Sequence, residues 1–283
     1  MKNKVIIEAK SDLGLHIDGA NLGPSLITSN RDNKIIIEKE NCIKSTNPND
    51  LKKNLKEVNN FNTKLYNTVI DVLNNNKFPI TIGGDHSIAI ASSLASRNKC
   101  NIGIIWIDAH LDYNTFETTI TGNLHGLPLA AVNGLAKDLT PFTNTFINPK
   151  NTVVVGYRAK EDNAKVEVDN ILNAGGTIFT TDDIKKYGVK KVMEEAIKIA
   201  SNNTDGIHIS FDLDFIDPID APGVSVPEVD GIDKKTALEV IHYLNNTNNI
   251  KSFDIVEYNP LNDKDNITLD IAKEILDYVI NNI

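Results

Sequence analysis

Cysteine is scarce in this sequence: Cys42 and Cys100 are the only two, and no C-x-x-C pair occurs. That excludes a disulfide scaffold and a thiolate zinc site. Positive charge is also short, with 29 Lys and Arg against 38 Asp and Glu and a net charge of −9. No basic surplus is available to neutralise phosphates, so a nucleic-acid partner is not expected. The same balance disfavours an anionic membrane surface and favours steering of a small cationic substrate. No run approaches the roughly 20 apolar residues needed to span a bilayer. The first residues, Met1 to Ile7, turn charged again at Glu8, with no apolar stretch long enough for a signal peptide. A cytoplasmic protein without a membrane partner is the expectation. No Pro-, Gly- or Ser-rich linker and no internal repeat divides the chain, so residues 1–283 read as one domain. Gly175-Gly176 lacks the strand–GxGxxG–helix setting of a phosphate loop.

What the chain does have is a regular alternation. Short runs rich in Val, Ile and Phe fall at residues 4–7, 79–82, 102–107, 152–155, 177–179, 206–211 and 252–256. Several are apolar throughout, which suits strands buried on both faces of a parallel sheet. Helical patterns lie between them, at 51–75, 87–97, 164–174, 190–201, 234–245 and 268–283. Strand–helix alternation predicts an α/β fold, one mostly parallel sheet covered by helices on both faces. Ligands of such sheets bind beyond the carboxyl ends of the strands.

Four of the predicted strands end in acids or histidines. The run 79–82 leads into Gly83-Gly84-Asp85-His86-Ser87, and 102–107 into Asp108-Ala109-His110-Leu111-Asp112. The run 206–211 leads into Asp212-Leu213-Asp214, and 252–256 into Glu257-Tyr258-Asn259-Pro260. A lone Asp after a strand is more often a turn or helix cap, and a lone His more often a satisfied structural residue. The joint pattern is harder to satisfy. Residues two apart in extended chain point the same way, so Asp108, His110 and Asp112 are expected to converge, and Asp212 and Asp214 repeat the spacing. Gathering these acids without a cation costs several kcal/mol in repulsion and desolvation. A divalent metal resolves the conflict.

Two His and four Asp make a hard, oxygen-rich set suited to Mn²⁺, with Fe²⁺, Co²⁺ or Ni²⁺ as competitors. Six ligands exceed what one ion with an open position needs. They suit two ions about 3.5–4 Å apart, which acidify the water between them enough to make it a nucleophile near neutral pH. The set predicts metal-activated hydrolysis.

With these residues in view, GGDHS, DAHLD, SFDLDFIDP and VEYNP resemble, in order and spacing, the motifs of the ureohydrolase superfamily: arginases, agmatinases, formimidoylglutamases and guanidinobutyrases. The resemblance runs along nearly the whole chain, beginning at the G-A-N-L-G-P loop of residues 19–24. It implies a three-layer αβα fold with a mostly parallel sheet of roughly eight strands, and two Mn²⁺ per chain. His86, Asp108, Asp112 and Asp212 would hold one ion, and Asp108, His110, Asp212 and Asp214 the other. Asp108 and Asp212 would bridge, and Asp112 would orient the attacking hydroxide. Glu257 would pair with a guanidinium group. Thr121 to Pro128 (TGNLHGLP) resembles an arginase segment in which His125 would shuttle a proton to the leaving amine. Asn114, Thr119 and Thr121 would face the substrate's α-carboxylate, and Glu161 its α-amino group.

The segment Ala221 to Glu228 (APGVSVPE) is closer to agmatinases and formimidoylglutamases. There Val226 stands where a threonine hydroxyl lines the guanidinium site in relatives, and one lost buried hydrogen bond costs about 1–3 kcal/mol. The implied function is an amidinohydrolase releasing urea and an amine from arginine or agmatine. A formimidoylglutamase or other guanidino-acid hydrolase, and a non-catalytic family member, are the alternatives. A homo-oligomer, trimer or hexamer, is implied by resemblance alone. His16, His208 and His242 match no family role. Trp106 is expected in the core, as is His208.

Overall fold

A computed structural model of the chain describes residues 3–45, 47, 49–160, 164–247 and 249–283. In chain order the elements are β1 (Lys4–Lys10), α1 (Gly23–Ile27), β2 (Ile35–Glu38), α2 (Leu55–Asn74), β3 (Phe78–Gly83), α3 (Ala89–Lys99), β4 (Ile102–Ile107), α4 (Pro128–Val132), β5 (Thr152–Tyr157), α5 (Ala164–Ala174), β6 (Thr177–Thr180), α6 (Thr181–Tyr187), α7 (Val189–Ala200), β7 (Gly206–Asp212), α8 (Lys234–Tyr243), β8 (Ile250–Val256) and α9 (Ile267–Asn282).

The strands form one sheet in the order β2-β1-β3-β8-β7-β4-β5-β6, and every pairing is parallel. Every residue of β3, β4 and β7 is buried, which is why these runs carry no polar alternation. One face of the sheet packs against α1, α6, α7, α8 and α9, with Ile184, Met193, Ile241 and Ile275 among the buried side chains. The other packs against α2, α3, α4 and α5, with Leu65, Leu94, Leu129 and Ile171. The fold is thus the three-layer αβα arrangement expected.

Helix α2 buries Val58, Phe61, Leu65, Val69, Val72 and Leu73, the three-and-four spacing of one helical stripe. Strand β2 is absent from the sequence expectation. Its IIIE run is only four residues long and sits among charges, too short for a periodicity to show. Helix α6 also went unread. A capping box between Thr180 and Asp183 starts it directly at the end of β6, with no loop to announce it.

The order of the sheet places the chemistry. The chain lays down β1 to β3 and then β4 to β6, and its last two strands, β7 and β8, enter the gap between β3 and β4. The four strands whose ends carry acids and histidines are therefore four neighbours at the centre of the sheet, and their carboxyl ends share one edge.

Candidate functional site

The loop after β3 must pass close to the loop after β1. A Cβ on Gly84 would lie 1.7 Å from the Ser11 carbonyl oxygen, so only glycine fits. Beyond it Asp85 caps the next turn, its Oδ1 accepting from Ser87 N at 2.9 Å, and His86 swings inward. His86 Nε2 meets Ser210 Oγ of β7 at 2.9 Å. That contact turns Nδ1 toward Asp212 Oδ2 (3.0 Å), Asp108 Oδ2 (3.1 Å) and Asp112 Oδ2 (3.2 Å).

The second cluster lies on the other side of Asp108. His110 Nδ1 is 3.0 Å from Asp214 Oδ2 and 3.5 Å from Asp108 Oδ1. His110 Nε2 lies 3.7 Å from Glu228 Oε1. Among the described residues, ligand atoms lie close enough to hold an ion in His86–Asp108–Asp112 and in Asp108–His110–Asp214. Asp108 belongs to both. Asp212 is tied to the first by His86 and to the second by its Oδ1, which accepts from Asp214 N at 2.8 Å.

The convergence arises differently from the extended alternation expected. The chain bends after Ile107, and Asp112 takes φ +50°. His110 and Asp112 consequently enter different clusters. A non-glycine residue in that region costs of order 1 kcal/mol or more and persists only where its surroundings fix it. Here Leu129 N and Ala130 N, at the start of α4, donate to the Asp112 carbonyl at 3.0 and 3.3 Å. Glu257 is a second such residue, at φ +66°. Its N–H donates to Gly84 O at 2.8 Å, and its Oε1 accepts from His86 N at 2.8 Å.

The electrostatics follow from crowding. Asp108, Asp112, Asp212 and Asp214 are all buried. Burial and then the Asp108 charge push Asp112 up to about 6 and Asp214 up to about 6. Burial, then Asp214 and Asp108, hold Asp212 well above the carboxylate range. Burial disfavours the charged form of His86, but hydrogen bonding to Asp108, Asp112 and Asp212 outweighs it and raises the imidazole well above its usual value. The cluster thus balances its surplus negative charge with protons, where a divalent cation would serve better. The donor set fits that cation. His86 Nδ1 is buried with no hydrogen-bond partner of proper geometry among the described residues, although three carboxylate oxygens converge on it.

A cavity of about 350 Å³ opens from this edge, and His110, Asp112 and His125 line it. His125 Nδ1 lies 3.2 Å from Glu257 Oε1. Burial would lower His125, but the Glu257 carboxylate prevails and pushes it up to about 9. Glu257 is held low by His125 against the opposing effect of its burial. Its Oε2 is buried and has no hydrogen-bond partner among the described residues. Asn114, Thr119 and Thr121 line the same cavity, as does Val226. Glu161 lies outside the described residues.

Sequence reasoning missed several contributors. Trp106 is fully buried, as expected, but it also stacks on His86 with ring centroids 3.8 Å apart, and its Nε1 donates to Asp108 Oδ2 at 2.8 Å. Arg158 donates to the carbonyls of Asp214, Phe215, Glu228 and Val229 and so pins the loop after β7. Asn123 and Glu167 line the cavity, and Glu167 Oε2 accepts from Tyr113 N at 2.9 Å. Only Asn123 had a visible signal, its place two residues before His125.

Three comparisons bear on this geometry. The sequence profile of the Arginase family matches residues 2–281. An arginase of Brevibacillus brevis is 36% identical over 98% of this chain and 97% of its own. Among solved structures, the arginase of Bacillus caldovelox superposes with a TM-score of 0.87 at 32% identity, covering 99% of both chains. The Entamoeba histolytica arginase, solved in complex with L-ornithine, superposes with a TM-score of 0.89 at 29% identity, covering 99% of both.

Proposed function

This chain belongs to the arginase family of hydrolases acting on guanidino C–N bonds, and on that footing we propose that it is a manganese enzyme that hydrolyses arginine to urea and ornithine. The observation that carries the substrate is the cavity wall. Beyond His125 it presents the hydroxyls and amides of Asn114, Thr119, Thr121 and Asn123, donors suited to a carboxylate at the far end of an amino-acid substrate.

His86, Asp108, Asp112 and Asp212 would hold one ion, and Asp108, His110, Asp212 and Asp214 the other. Hard oxygen donors with two imidazoles suit Mn²⁺. When bound, the pair of ions supplies an acidified water as nucleophile and Lewis-acid stabilisation of developing charge. The remaining work falls to the chain. Glu257 Oε2, buried and without a partner among the described residues, accepts guanidinium N–H and fixes the substrate's head. Asp112, beside His86 at 3.2 Å, would take a proton from the attacking water. His125, raised to about 9, carries a proton at neutral pH and delivers it to the leaving amine. Glu167, on the cavity wall, would take the substrate's α-amino group.

One observation favours a second reading. Val226 offers no hydroxyl to the cavity, while Ser225 beside it lines the cavity too, its Oγ 3.2 Å from Asn259 Nδ2. This departure resembles the formimidoylglutamase pattern A-P-G-V-S-A-P, while the flanking Ala221-Pro222-Gly223 and Pro227-Glu228 resemble agmatinases, so agmatine and formimidoylglutamate are the competing substrates. Manganese-loaded protein is assayed on arginine, agmatine, guanidinobutyrate and formimidoylglutamate. Urea chiefly from arginine is expected. Absence of urea from every guanidino compound refutes the proposal, and formamide from the last substrate replaces it with formimidoylglutamase.

A further inference from the structure

His16 was left without a role by the sequence, yet the fold brings it to the rim of the substrate cavity. It rides on the loop after β1, which is unusually well held. Gly14 O accepts from His125 N at 3.1 Å, and Gly14 N donates to Asp85 Oδ2 at 2.9 Å. Lys44 then clamps the loop, donating to Ile17 O at 3.0 Å and Asp12 O at 3.2 Å and pairing with Asp18 at 2.7 Å. The backbone carrying His16 is thus tied to that of His125 on one side and clamped by Lys44 on the other.

The imidazole meets the amide of Asn123, with Nδ1 3.0 Å from Asn123 Nδ2 and 3.3 Å from its Oδ1. With Asn123 Nδ2 donating across the nearer contact, Nδ1 is the acceptor and Nε2 carries a ring hydrogen. The side chain is exposed, so this N–H faces the cavity mouth. Two consequences follow. The Asn123 amide is oriented, and the donor wall of Asn114, Thr119 and Thr121 is extended outward by a further donor.

We propose that His16 is a specificity-determining residue, which selects substrates whose tail ends in a carboxylate by orienting Asn123 and by donating from Nε2 to that carboxylate. The inference rests on the arginine reading above and deepens it. A decarboxylated guanidine presents no acceptor to His16 and gains nothing from it. A hydrogen bond to a charged group contributes about tenfold or more in binding.

The test compares wild type, His16→Ala and His16→Gln as manganese-loaded proteins. Turnover is measured on arginine and agmatine, and calorimetric affinity on ornithine and 1,4-diaminobutane. In His16→Ala, KM for arginine is expected to rise about tenfold with kcat nearly unchanged, and ornithine affinity to fall by a similar factor. Agmatine and the diamine should be unaffected, and His16→Gln, which retains an N–H, should recover part of the loss. Equal losses with and without the carboxylate, or a loss confined to kcat, would overturn the role of His16. If wild type hydrolyses neither guanidine, the functional reading fails by itself. The ornithine-to-diamine affinity ratio then still decides for His16, which stands if the ratio falls in His16→Ala and is refuted if it does not.

Discussion

Two sets of acid and histidine lie at the centre of the sheet, one in the middle of β7 and β8 and one beyond the carboxyl ends of β3, β4 and β7. In the middle, His208 Nδ1 lies 2.7 Å from Ser252 Oγ and its Nε2 3.0 Å from Asp254 Oδ2. Helix α3 covers the pair, with Ser92 donating to Asp254 and Ser96 Oγ 2.6 Å from Ser252 Oγ. One histidine faces one acid, and three hydroxyls join the network, while Asp254 Oδ1 has no hydrogen-bond partner among the described residues. At the strand ends, four aspartates crowd two imidazoles, and among the described residues the cations do not match the acids one for one. Both regions are largely buried and both draw on β7. What separates a structural pair from a ligand site is therefore stoichiometry of charge rather than burial or residue type.

That difference can be tested from both sides. The largest effect is expected from Asp108→Ala, since Asp108 belongs to both clusters. Activity should fall about a thousandfold or more, and bound manganese, counted by mass spectrometry, should drop together with it. Retained activity would remove Asp108 from its bridging place. His208→Ala should do the opposite, destabilising the fold by about 3–5 kcal/mol in urea titration because it strands a buried acid, while the metal count per chain stays unchanged. Loss of metal in that variant would erase the distinction between the regions.

A subtler effect is expected from Trp106→Phe, which keeps a ring against His86 but removes the donor to Asp108. Metal affinity should weaken about 10–100-fold, read by competition with a chelating dye. The smallest effect is a slope. Asp112 and Asp214 are raised to about 6, so in metal-free protein they favour the fold below their unfolded value and lose that contribution as pH rises from about 4 to about 6. His125, raised to about 9, contributes fully below its unfolded value and loses its contribution as pH climbs toward 9. Metal-free protein should therefore melt at progressively lower temperature as pH rises through this range. Saturating Mn²⁺ should flatten the slope, because the ion binds the deprotonated ligands. A pH-independent melting temperature without metal would show that the aspartates are not crowded in solution.

Much of this was legible in the sequence because it lies at strand ends. Continuous apolar runs located the central strands, and the polar residues that stop them are the proposed ligands. The joint spacing of DAHLD and DLD exposed the excess of carboxylate, though not its division into two clusters, which depends on the bend after Ile107 and the left-handed backbone of Asp112. Partners from elsewhere left no local mark. Glu167 sits on an ordinary amphipathic helix, 54 residues from the Tyr113 amide that it accepts from. Ser210 looks like a filler in an apolar strand until His86 is placed opposite it. Trp106 reads as core, and it is core; its N–H toward Asp108 is visible only in three dimensions. His16 has no motif at all, and the backbone ties of Gly14 to His125 and Asp85, with the clamp by Lys44, hold it at the cavity.

The late insertion of β7 and β8 between β3 and β4 also bears on how the molecule comes to exist. His86 and Asp108 follow β3 and β4, which are joined in one sheet only through β8 and β7, residues 206–256. A chain emerging from the ribosome holds the first of these ligands long before the gap between them is filled, and so has no competent chelating site while most of it is already made. Closing that gap requires pairings distant in sequence, which are slow to form. Metal capture is thereby tied to completion of the sheet, and a truncated or stalled product would leave the cell's manganese untouched.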